Sequence, residues 1–297
     1  MRERTLEIVI GVLVATAGLL SIGYFWNSMR KEQTKVQTDL YSLIAPNANG
    51  LLSVNRPQLL YHMLEANSAI KQSFATYVPP LYQVLIFKSS LPSLLLSFHP
   101  EGVLIYAKAN KEQIDYLETK LLLPLMGGYA PIKRQVKGIN YTFFAEKGNR
   151  YFGYYRTESE WVGSYNRLLL EASAQCLSHP TNNQPQLMEL RKKADKNAMM
   201  NLFLPTAPFN LYTNLSGDST IWRMDKILWA GSDLFVNNKK LCCFSLWPER
   251  MPTDSLYQPM ADTLTLRIGT FLPGMVVSGG LNSENGQAYY TACIPIQ

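Results

Sequence analysis

The sequence predicts an α+β protein: an N-terminal transmembrane helix followed by largely antiparallel sheets, with helices packed on one face. Three observations lead to this fold class. An uncharged apolar run extends from Ile8 to Trp26. Beyond it, segments with the apolar spacing of amphipathic helices alternate with segments in which apolar residues recur at every second position. Short polar turns separate several of the strand-like segments, as they do between antiparallel neighbours.

The apolar run from Ile8 to Trp26 is predicted to be an uncleaved membrane anchor. At 1.5 Å per residue, a helix of this length covers about 28 Å, close to the roughly 30 Å hydrocarbon thickness of a bilayer. A cleaved signal peptide is one alternative, because Arg2 and Arg4 precede the run and Ala15–Ala17 has a small-x-small form. The apolar character continues past Ala17, however, which favours the anchor. A buried core helix is the other alternative.

Basic residues flank the run on both sides, so the charge rule does not decide its orientation. A short anchor before one large domain is the usual arrangement for an exported domain. We therefore expect a single-pass protein of the inner (cytoplasmic) membrane, with the bilayer as a partner through Ile8–Trp26 and the C-terminal domain in the periplasm. The predicted organisation is a cytoplasmic N-terminus (1–7), the anchor (8–26), a juxtamembrane stalk (27–39), an α+β domain (40–176), a linker (177–186) and a β-rich second half (187–297).

The first half of the exported part is predicted to alternate strands and helices. One helix is capped by Asn55, has Pro57 in its first turn, keeps Ile70 and Phe74 on its apolar face and ends before Pro79-Pro80. Further helices begin at caps Asn110 and Ser164 and extend to about Leu123 and Ala174. The predicted strands are Leu51–Val54, Leu81–Phe87, Leu94–Phe98, Val103–Ala107, a hairpin of Ile139–Ala145 and Tyr151–Thr157 that turns at Lys147–Asn149, and Trp161–Val162.

The second half is predicted to be mostly β-structure. A helix from Pro185 to Lys196 follows the linker. No exact internal repeat is visible, although a shared plan of sheet and helix in the two halves remains open. The predicted strands are Met199–Leu204, Ile221–Ala230, Leu234–Val236, Leu241–Leu246, Thr263–Phe271, Met275–Gly279 and Ala288–Pro295.

The composition is that of a folded chain with a mildly basic surface. Hydrophobic residues make up 47% and charged residues 17%, and the formal net charge is +6. A basic face could contact anionic lipid or cell-wall polymer; alternatively, these residues form a solvated turn and helix face. Nucleic acid is not an expected partner, because the chain lacks a dense basic stripe with interleaved aromatic residues. The basic runs are Lys133, Arg134 and Lys137, and Arg191, Lys192, Lys193 and Lys196.

No motif in the chain predicts a catalytic, cofactor-binding or metal-binding residue. Neither a phosphate-binding glycine pattern nor G-x-S-x-G is present. Ser164 and the stretch Ser216–Ser219 are interpreted as a helix cap and a polar turn. Glu158 and Glu160 flank a strand, and a glycosidase pair formed at long range remains open. The three histidines, each without a partner at ligand spacing, are His62, His99 and His179.

The cysteines and the aromatic residues leave further alternatives. The cysteines show no metal spacing, so either one bridge, from Cys176 or Cys242 to Cys293, or buried thiols are expected. The aromatic residues are interpreted as core and cross-strand pairs, with a sugar- or base-stacking surface as the alternative. The four cysteines are Cys176, Cys242, Cys243 and Cys293. The aromatic residues are Tyr151, Phe152, Tyr154, Tyr155, Trp161 and Tyr165, with Tyr289 and Tyr290 on the last strand.

Four stretches carry a resemblance to a known group of proteins: Asp39–Leu60, Val136–Phe144, Trp161–Ser173 and Ile227–Leu246. After an anchor, they resemble the N-terminal part of uncharacterised membrane-anchored envelope proteins of Bacteroides-type bacteria, which carry a domain of unknown function. The resemblance implies no functional residues. We therefore expect a non-catalytic binding or scaffold component of the cell envelope, with other envelope proteins as partners. The alternatives are a hydrolase of envelope glycans, which needs two carboxylates about 5 to 9 Å apart, and a lipid-binding module, which needs a continuous apolar groove.

Overall fold

A computed structural model describes the chain from residue 39 onward, with gaps. The described ranges are 39–89, 91–127, 129–146, 150–178, 185–206, 210–215, 218–223, 228–237, 240–246, 264–266, 276–282 and 287–295. The predicted anchor and the stalk up to residue 38 lie outside these residues, as do the Lys147–Asn149 turn, His179 and most of the predicted linker. Within the described residues, no helix is long and apolar enough to cross a membrane.

Seven α-helices and fifteen strands lie within the described residues. The helices are α1 (Pro57–Ala66), α2 (Ser68–Tyr77), α3 (Pro80–Lys88), α4 (Lys111–Tyr116), α5 (Leu123–Leu125), α6 (Arg167–Gln175) and α7 (Pro185–Lys193). A 3₁₀ turn spans Leu40–Leu43, and a π-helical segment, Leu117–Leu122, joins α4 to α5. The strands are β1 (Gly50–Val54), β2 (Leu94–His99), β3 (Gly102–Lys108), β4 (Ile132–Val136), β5 (Ile139–Glu146), β6 (Arg150–Arg156), β7 (Glu160–Ser164), β8 (Met200–Thr206), β9 (Asn210–Leu215), β10 (Asp218–Arg223), β11 (Leu228–Asn237), β12 (Lys240–Leu246), β13 (Leu264–Leu266), β14 (Val276–Asn282) and β15 (Gln287–Pro295).

Thirteen of the strands form one sheet in the order β13-β14-β15-β12-β11-β8-β1-β2-β3-β7-β6-β5-β4, and β9 and β10 form a separate hairpin. Neighbours in the large sheet pair antiparallel. The α+β class predicted from the sequence is therefore confirmed, with a single large antiparallel sheet in Leu40–Gln297, which form one compact unit.

The strand order repeats in the two halves of the chain. From the centre outward, the first half runs β1, β2, β3, β7, β6, β5, β4, and the second half runs β8, β11, β12, β15, β14, β13, so that the first half has one additional strand, β4, at its edge. Strands β1 and β8 pair at the centre, where Ser53 lies opposite Asn201. The hairpins β2–β3 and β11–β12 both close over two residues, at His99–Gly102 and at Asn237–Lys240. The two halves of the chain therefore share a strand topology, arranged about the β1–β8 pair. The sequence alone had left open whether the halves share such an arrangement.

Helices cover both faces of the sheet, so the prediction that they pack on one face is wrong. Because successive residues of a strand point to opposite faces, a central strand such as β3 contributes to two cores. Ile105 and Ala107 pack with α1, α3 and α4, whereas Leu104 and Tyr106 pack with α6, α7 and the 3₁₀ turn. The continuous apolar run in β2, Leu94–Leu96, is typical of a strand buried on both faces.

The helices between β1 and β2 differ from those predicted. One predicted helix is two, because α1 ends at Ala66 and the Asn67 side chain accepts a hydrogen bond from Ile70 N–H to cap α2. Asn55 is not the cap of α1; the cap position is Arg56. The predicted strand Leu81–Phe87 is wrong, since α3 covers it with Pro80 at its first turn. A short apolar run has no periodicity that separates a strand from a buried helix.

Two further predictions are corrected nearer the C-terminus. Asn166, not Ser164, caps α6, because its side chain accepts hydrogen bonds from Leu168 N–H and Leu169 N–H. The predicted strand Ile221–Ala230 is divided between β10 and β11. Strand β9 was not predicted.

A buried polar ladder crosses the joint between the two halves. Ser53 on β1 lies opposite Asn201 on β8, which lies opposite Asp233 on β11, and each of these side chains is at most 9% exposed. Asn201 Nδ2 donates to Asp233 Oδ1 at 2.6 Å, and the Asp195 N–H donates to Asp233 Oδ2 at 2.9 Å. Asn55 Nδ2 donates to Asn201 Oδ1 at 2.6 Å. Asn55 therefore joins the halves instead of capping a helix.

Buried hydrogen bonds fasten the segment that leads into β1 onto the sheet. Ser173 Oγ, on α6, donates to Leu43 O at 2.8 Å and lies 2.9 Å from the Tyr155 hydroxyl. Cys176 Sγ contacts Ile44 O at 3.6 Å. The Arg191 guanidinium lies 4.4 Å above the Tyr41 ring. The start of the described chain is thus held by α6 and α7.

A candidate binding groove at the edge of the sheet

Strands β4 and β5 form a hairpin at one end of the sheet, closed by Lys137 and Gly138. Both turn residues have positive φ, 51° at Lys137 and 80° at Gly138, which is the type I′ geometry that matches the twist of a two-residue hairpin. The turn fixes the register, in which Ile132 lies opposite Phe143 and Arg134 opposite Tyr141. The side chains of Ile132 and Arg134 therefore lie on the same face of the sheet.

One cross-strand row forms the floor of a groove on that face. Ile132, Phe143, Gly153 and Ser164 are opposite one another across β4, β5, β6 and β7. A Cβ at Gly153 would lie 2.5 Å from Phe143 Cε1 and 3.2 Å from Leu170 Cδ2. The Phe143 ring thus occupies the space above Gly153, and only glycine permits this close approach.

Three arginines and two tyrosines surround this floor. Arg134 comes from β4, Arg150 and Tyr151 from the start of β6, Tyr165 from the loop after β7, and Arg167 from the first residue of α6. The enclosed volume is about 580 Å³, within the usual range of ligand sites. We call this site the arginine groove. Its lining residues are Ile132, Arg134, Phe143, Arg150, Tyr151, Gly153, Ser164, Tyr165 and Arg167.

The positive charge of the arginine groove is only partly compensated. Arg150 forms an ion pair with Glu146 at 3.0 Å, and Arg167 Nε lies 2.6 Å from Glu171 Oε1. Neither carboxylate lines the groove. Within the part of the chain that the structure describes, no carboxylate forms an ion pair with Arg134. The groove therefore presents guanidinium groups to a ligand, and the carboxylates of Glu146 and Glu171, which pair with two of them, lie outside its lining.

The lining offers guanidinium groups that bind anions and aromatic rings that stack on flat groups. Burial, followed by the charge of Glu146, raises the pKa of Tyr165 to about 12, so its hydroxyl stays protonated. This hydroxyl lies 3.4 Å from Glu146 Oε1, and the Arg150 guanidinium lies 5.7 Å from the ring centre. Guanidinium groups bind carboxylates through paired, charge-assisted hydrogen bonds. The groove is thus suited to an anionic ligand.

A second groove lies on the opposite face of the same edge. It encloses about 460 Å³, and we call it the polar groove. Arg156 in it pairs with Asp115 at 3.3 Å and with Glu118 at 3.4 Å. Its lining residues are Glu118, Lys133, Arg134, Gln135, Asn140, Tyr141, Thr142, Tyr154 and Arg156. A third hollow, of about 280 Å³ beside the end of α6, has Glu171 as its carboxylate. None of these three cavities is lined by two carboxylates.

The side chains considered for catalysis lie apart from one another. Ser164 Oγ donates to Val103 O at 2.9 Å and is buried, although it lies at the floor of the arginine groove. Glu160 is 2% exposed and accepts hydrogen bonds from Thr157 and Ser159, which closes the β6–β7 turn. His62 lies on the surface of α1.

His99 has a partner that its position in the sequence did not reveal. Its Nε2 lies 2.8 Å from Ser97 Oγ, which is also 3.1 Å from the Tyr106 hydroxyl. Ser97 is fully buried and His99 is 8% exposed, so this serine–histidine pair is closed to a substrate. Burial lowers the pKa of His99. Ser97, the Nε2 of His99 and the Tyr106 hydroxyl thus form one buried hydrogen-bond network.

The aromatic cluster predicted from the sequence divides into two groups. Phe152, Tyr154, Tyr155 and Trp161 are at most 3% exposed, which confirms the core interpretation for them. Tyr151 is 48% exposed and Tyr165 is half-buried, and both line the arginine groove. Of the basic runs, Arg134 lines both grooves and Lys133 the polar groove. Arg150 and Arg167 were not singled out, because no run of basic residues contains them.

Two of the cysteines occupy opposite positions in the sheet. Cys242 on β12 and Cys293 on β15 are cross-strand partners, and this is one of the two pairings that the sequence left open. Cys176 lies at the end of α6, where its Sγ is 3.3 Å from Ala172 O. Within the described residues, no cluster of three potential metal ligands is present.

Comparison with known proteins identifies a distant structural likeness. No protein-family model matches the chain, and no curated protein matches it. A solved structure described as "Structure of crystal form I of TP0453" is similar over 73% of this chain and 82% of that chain, at 9% sequence identity and a TM-score of 0.41.

Proposed function

We propose that this chain is a single-pass protein of the inner membrane whose periplasmic domain acts by binding, as a scaffold or as one component of an envelope complex. This proposal rests on the arginine groove. It combines three guanidinium groups with exposed and half-buried tyrosines. The uncharged run Ile8–Trp26 supports the membrane location.

The ligand of the groove is proposed to be an acidic segment of another envelope protein. Arg134 and Arg150 lie on strands of the large sheet, and Arg167 begins a helix whose cap is formed by Asn166. Because these elements belong to the sheet and the layer packed on it, the backbone positions of the three arginines are set before the ligand arrives, which lowers the entropic cost of binding. Arginine and tyrosine are also enriched among the residues that contribute most to interface affinity.

Replacing Arg134 by Glu is expected to remove the acidic partner from the complex. The variant replaces a guanidinium group in the lining of the arginine groove by a carboxylate, so that repulsion of an acidic ligand replaces attraction at this position. Tagged full-length wild type and R134E would be purified from membranes in mild detergent, and the co-purifying proteins would be quantified by mass spectrometry. We expect at least one envelope protein to fall by about tenfold or more, which corresponds to roughly 1.4 kcal/mol.

The matched control is Lys111→Glu, which changes charge by the same amount at an exposed position on α4, outside both grooves. The proteins that co-purify with this variant, and their amounts, should equal those found with the wild type. An identical set of partners for wild type and R134E would contradict the binding role of the groove. Recovery of the full-length chain in the soluble fraction, or its resistance to protease in spheroplasts, would contradict the location.

A further inference from the structure

The backbone of β4 provides a second set of binding groups beside the arginine groove. This strand is the last in the sheet order, and it pairs with β5 alone among the described strands. Residues Ile132 to Gln135 are exposed. An edge strand presents a row of N–H and C=O groups to any extended chain that approaches it.

The register of the hairpin shows which backbone groups face outward. In a two-residue hairpin, the residues that flank the turn exchange both hydrogen bonds, and such pairs alternate with non-hydrogen-bonded pairs. Val136 and Ile139 flank the turn, so Arg134–Tyr141 and Ile132–Phe143 are also hydrogen-bonded pairs. Lys133 and Gln135 therefore direct their N–H and C=O groups away from β5, toward the free edge.

Both faces of this edge have space for the side chains of an added strand. The arginine groove lies on the face of Ile132 and Arg134, and the polar groove lies on the face of Lys133 and Gln135. Side chains of a strand point alternately to the two faces. An extended peptide paired with β4 would thus place every second side chain in the arginine groove and the others in the polar groove.

The charge of the edge selects an acidic occupant. Lys133 and Arg134 lie on the strand itself, and Arg150 and Arg167 lie across the arginine groove. Cations on an edge strand also protect a sheet against pairing with another copy. Protection requires charge alone, however, whereas this edge adds a groove on each face with Tyr151 exposed in one of them.

We propose that β4 captures an extended acidic segment of a partner protein by strand addition, with the acidic side chains at alternate positions in the arginine groove. This inference rests on the proposed function, and it specifies the shape of the ligand. Backbone hydrogen bonds to Lys133 and Gln135 supply affinity that is independent of the sequence of the partner, and the arginines supply selectivity for acids.

The test uses the full-length chain in nanodiscs of zwitterionic lipid and a fluorescein-labelled, eight-residue peptide of alternating glutamate and valine. Fluorescence anisotropy would give its affinity. Two N-methylated forms would be compared, one methylated on the glutamate nitrogens and the other on the valine nitrogens. In a strand, only one of these sets faces β4, so we expect one form to lose about tenfold or more in affinity and the other to bind like the parent peptide.

A variant of the edge provides an independent measurement. Gln135→Pro removes an outward N–H without removing a hydrogen bond to β5, and it should weaken binding of the parent peptide severalfold. Gln135→Thr changes the same side chain in the polar groove but keeps the N–H, so it should weaken binding less than Gln135→Pro does. Equal binding of the two N-methylated peptides would overturn strand addition. Absence of binding by the parent peptide would also overturn strand addition. The same holds if the protein binds phosphatidylglycerol vesicles instead of the peptide and this binding depends on Arg134. If R134E still loses an envelope protein in the purification, the proposed function stands although strand addition fails.

Discussion

Replacing Phe152 by Ala is expected to lower the free energy of unfolding by about 3 to 5 kcal/mol, the range for removal of a buried phenylalanine. Phe152 is fully buried on β6, and its ring centre lies 5.3 Å from Tyr165, 6.1 Å from Tyr82 and 6.1 Å from Trp161. Deleting the ring leaves a cavity among three rings that are fixed by the strands and α3, so the site cannot collapse fully. Thermal unfolding of the full-length chain should shift downward by about 10 °C.

The neighbouring residue Tyr151 provides the control for this substitution. It is 48% exposed and points to the opposite face of β6. Tyr151→Ala should change the free energy of unfolding by less than about 1 kcal/mol. Because Tyr151 lines the arginine groove and Phe152 does not, Tyr151→Ala should weaken ligand binding without destabilising the fold. An equal loss of stability in the two variants would contradict the packing of Phe152 among the rings of Tyr82, Trp161 and Tyr165.

Replacing Asp233 by Ala is expected to destabilise the joint between the two halves by about 3 kcal/mol. The carboxylate accepts hydrogen bonds from Asn201 Nδ2 at 2.6 Å and from the Asp195 N–H at 2.9 Å. Asn201 is 5% exposed, and its Nδ2 also donates to Asp195 O at 3.0 Å. The substitution would therefore remove the acceptor of one Asn201 N–H and that of the Asp195 N–H, and each such loss costs about 1 to 3 kcal/mol. Chemical denaturation of the full-length chain measures the difference. Asp195→Ala is the control, because that side chain is exposed and should change stability by less than about 1 kcal/mol.

The difference between wild type and Asp233→Ala should also depend on pH. Burial raises the pKa of the Asp233 carboxyl, although the hydrogen bonds from Asp195 N–H and Asn201 act in the opposite direction. A carboxyl whose pKa is higher in the folded state contributes stability that is fully present below the unfolded pKa and is lost as pH rises through the folded pKa. The wild type should therefore gain stability relative to the variant as pH is lowered from 7 toward 4. If the difference in the free energy of unfolding between wild type and Asp233→Ala becomes smaller as the pH is lowered, the raised pKa of Asp233 is contradicted.

Local signals in the sequence predicted the β5–β6 hairpin and the helix start at Asn110, whereas the β4–β5 and β9–β10 hairpins were not predicted. The cap at Asn110 involves neighbouring residues only, and the structure has it. The predictions failed where tertiary packing, and not the local sequence, determines the secondary structure or the arrangement of elements. Leu81–Phe87 is helical with Pro80 in the first turn of α3, and its buried residues, Leu81, Tyr82, Leu85 and Ile86, recur at the spacing of one helical face. The two-sided sheet could not be predicted, since its second layer is formed by α6 and α7, whose contacts with β3, β6, β7 and β11 leave no local signal in the sequence.

The arginine groove was predictable only in part. Arg134 belongs to a basic run and Tyr151 and Tyr165 to an aromatic cluster, so local composition identified them. Arg150 and Arg167 are distant from Arg134 in the sequence and join it only through the register of β4–β7 and the position of α6. Asp233 likewise gave no local signal, because its partners come from β8 and the loop before it. A site assembled across strands requires the register, which a single sequence does not specify.

The edge formed by β4 and the arginine groove is proposed to bind an acidic segment of an envelope protein. Photocrosslinking in living cells tests this binding, with a benzophenone amino acid in place of Ile132, which is 47% exposed at the groove floor. We expect one dominant protein adduct whose crosslinked peptide is acidic, and we expect R134E to abolish it. The same amino acid at Tyr77, which is 70% exposed on α2, should give no such adduct. An adduct at Ile132 that survives R134E, or adducts that are identical from both positions, would contradict the account.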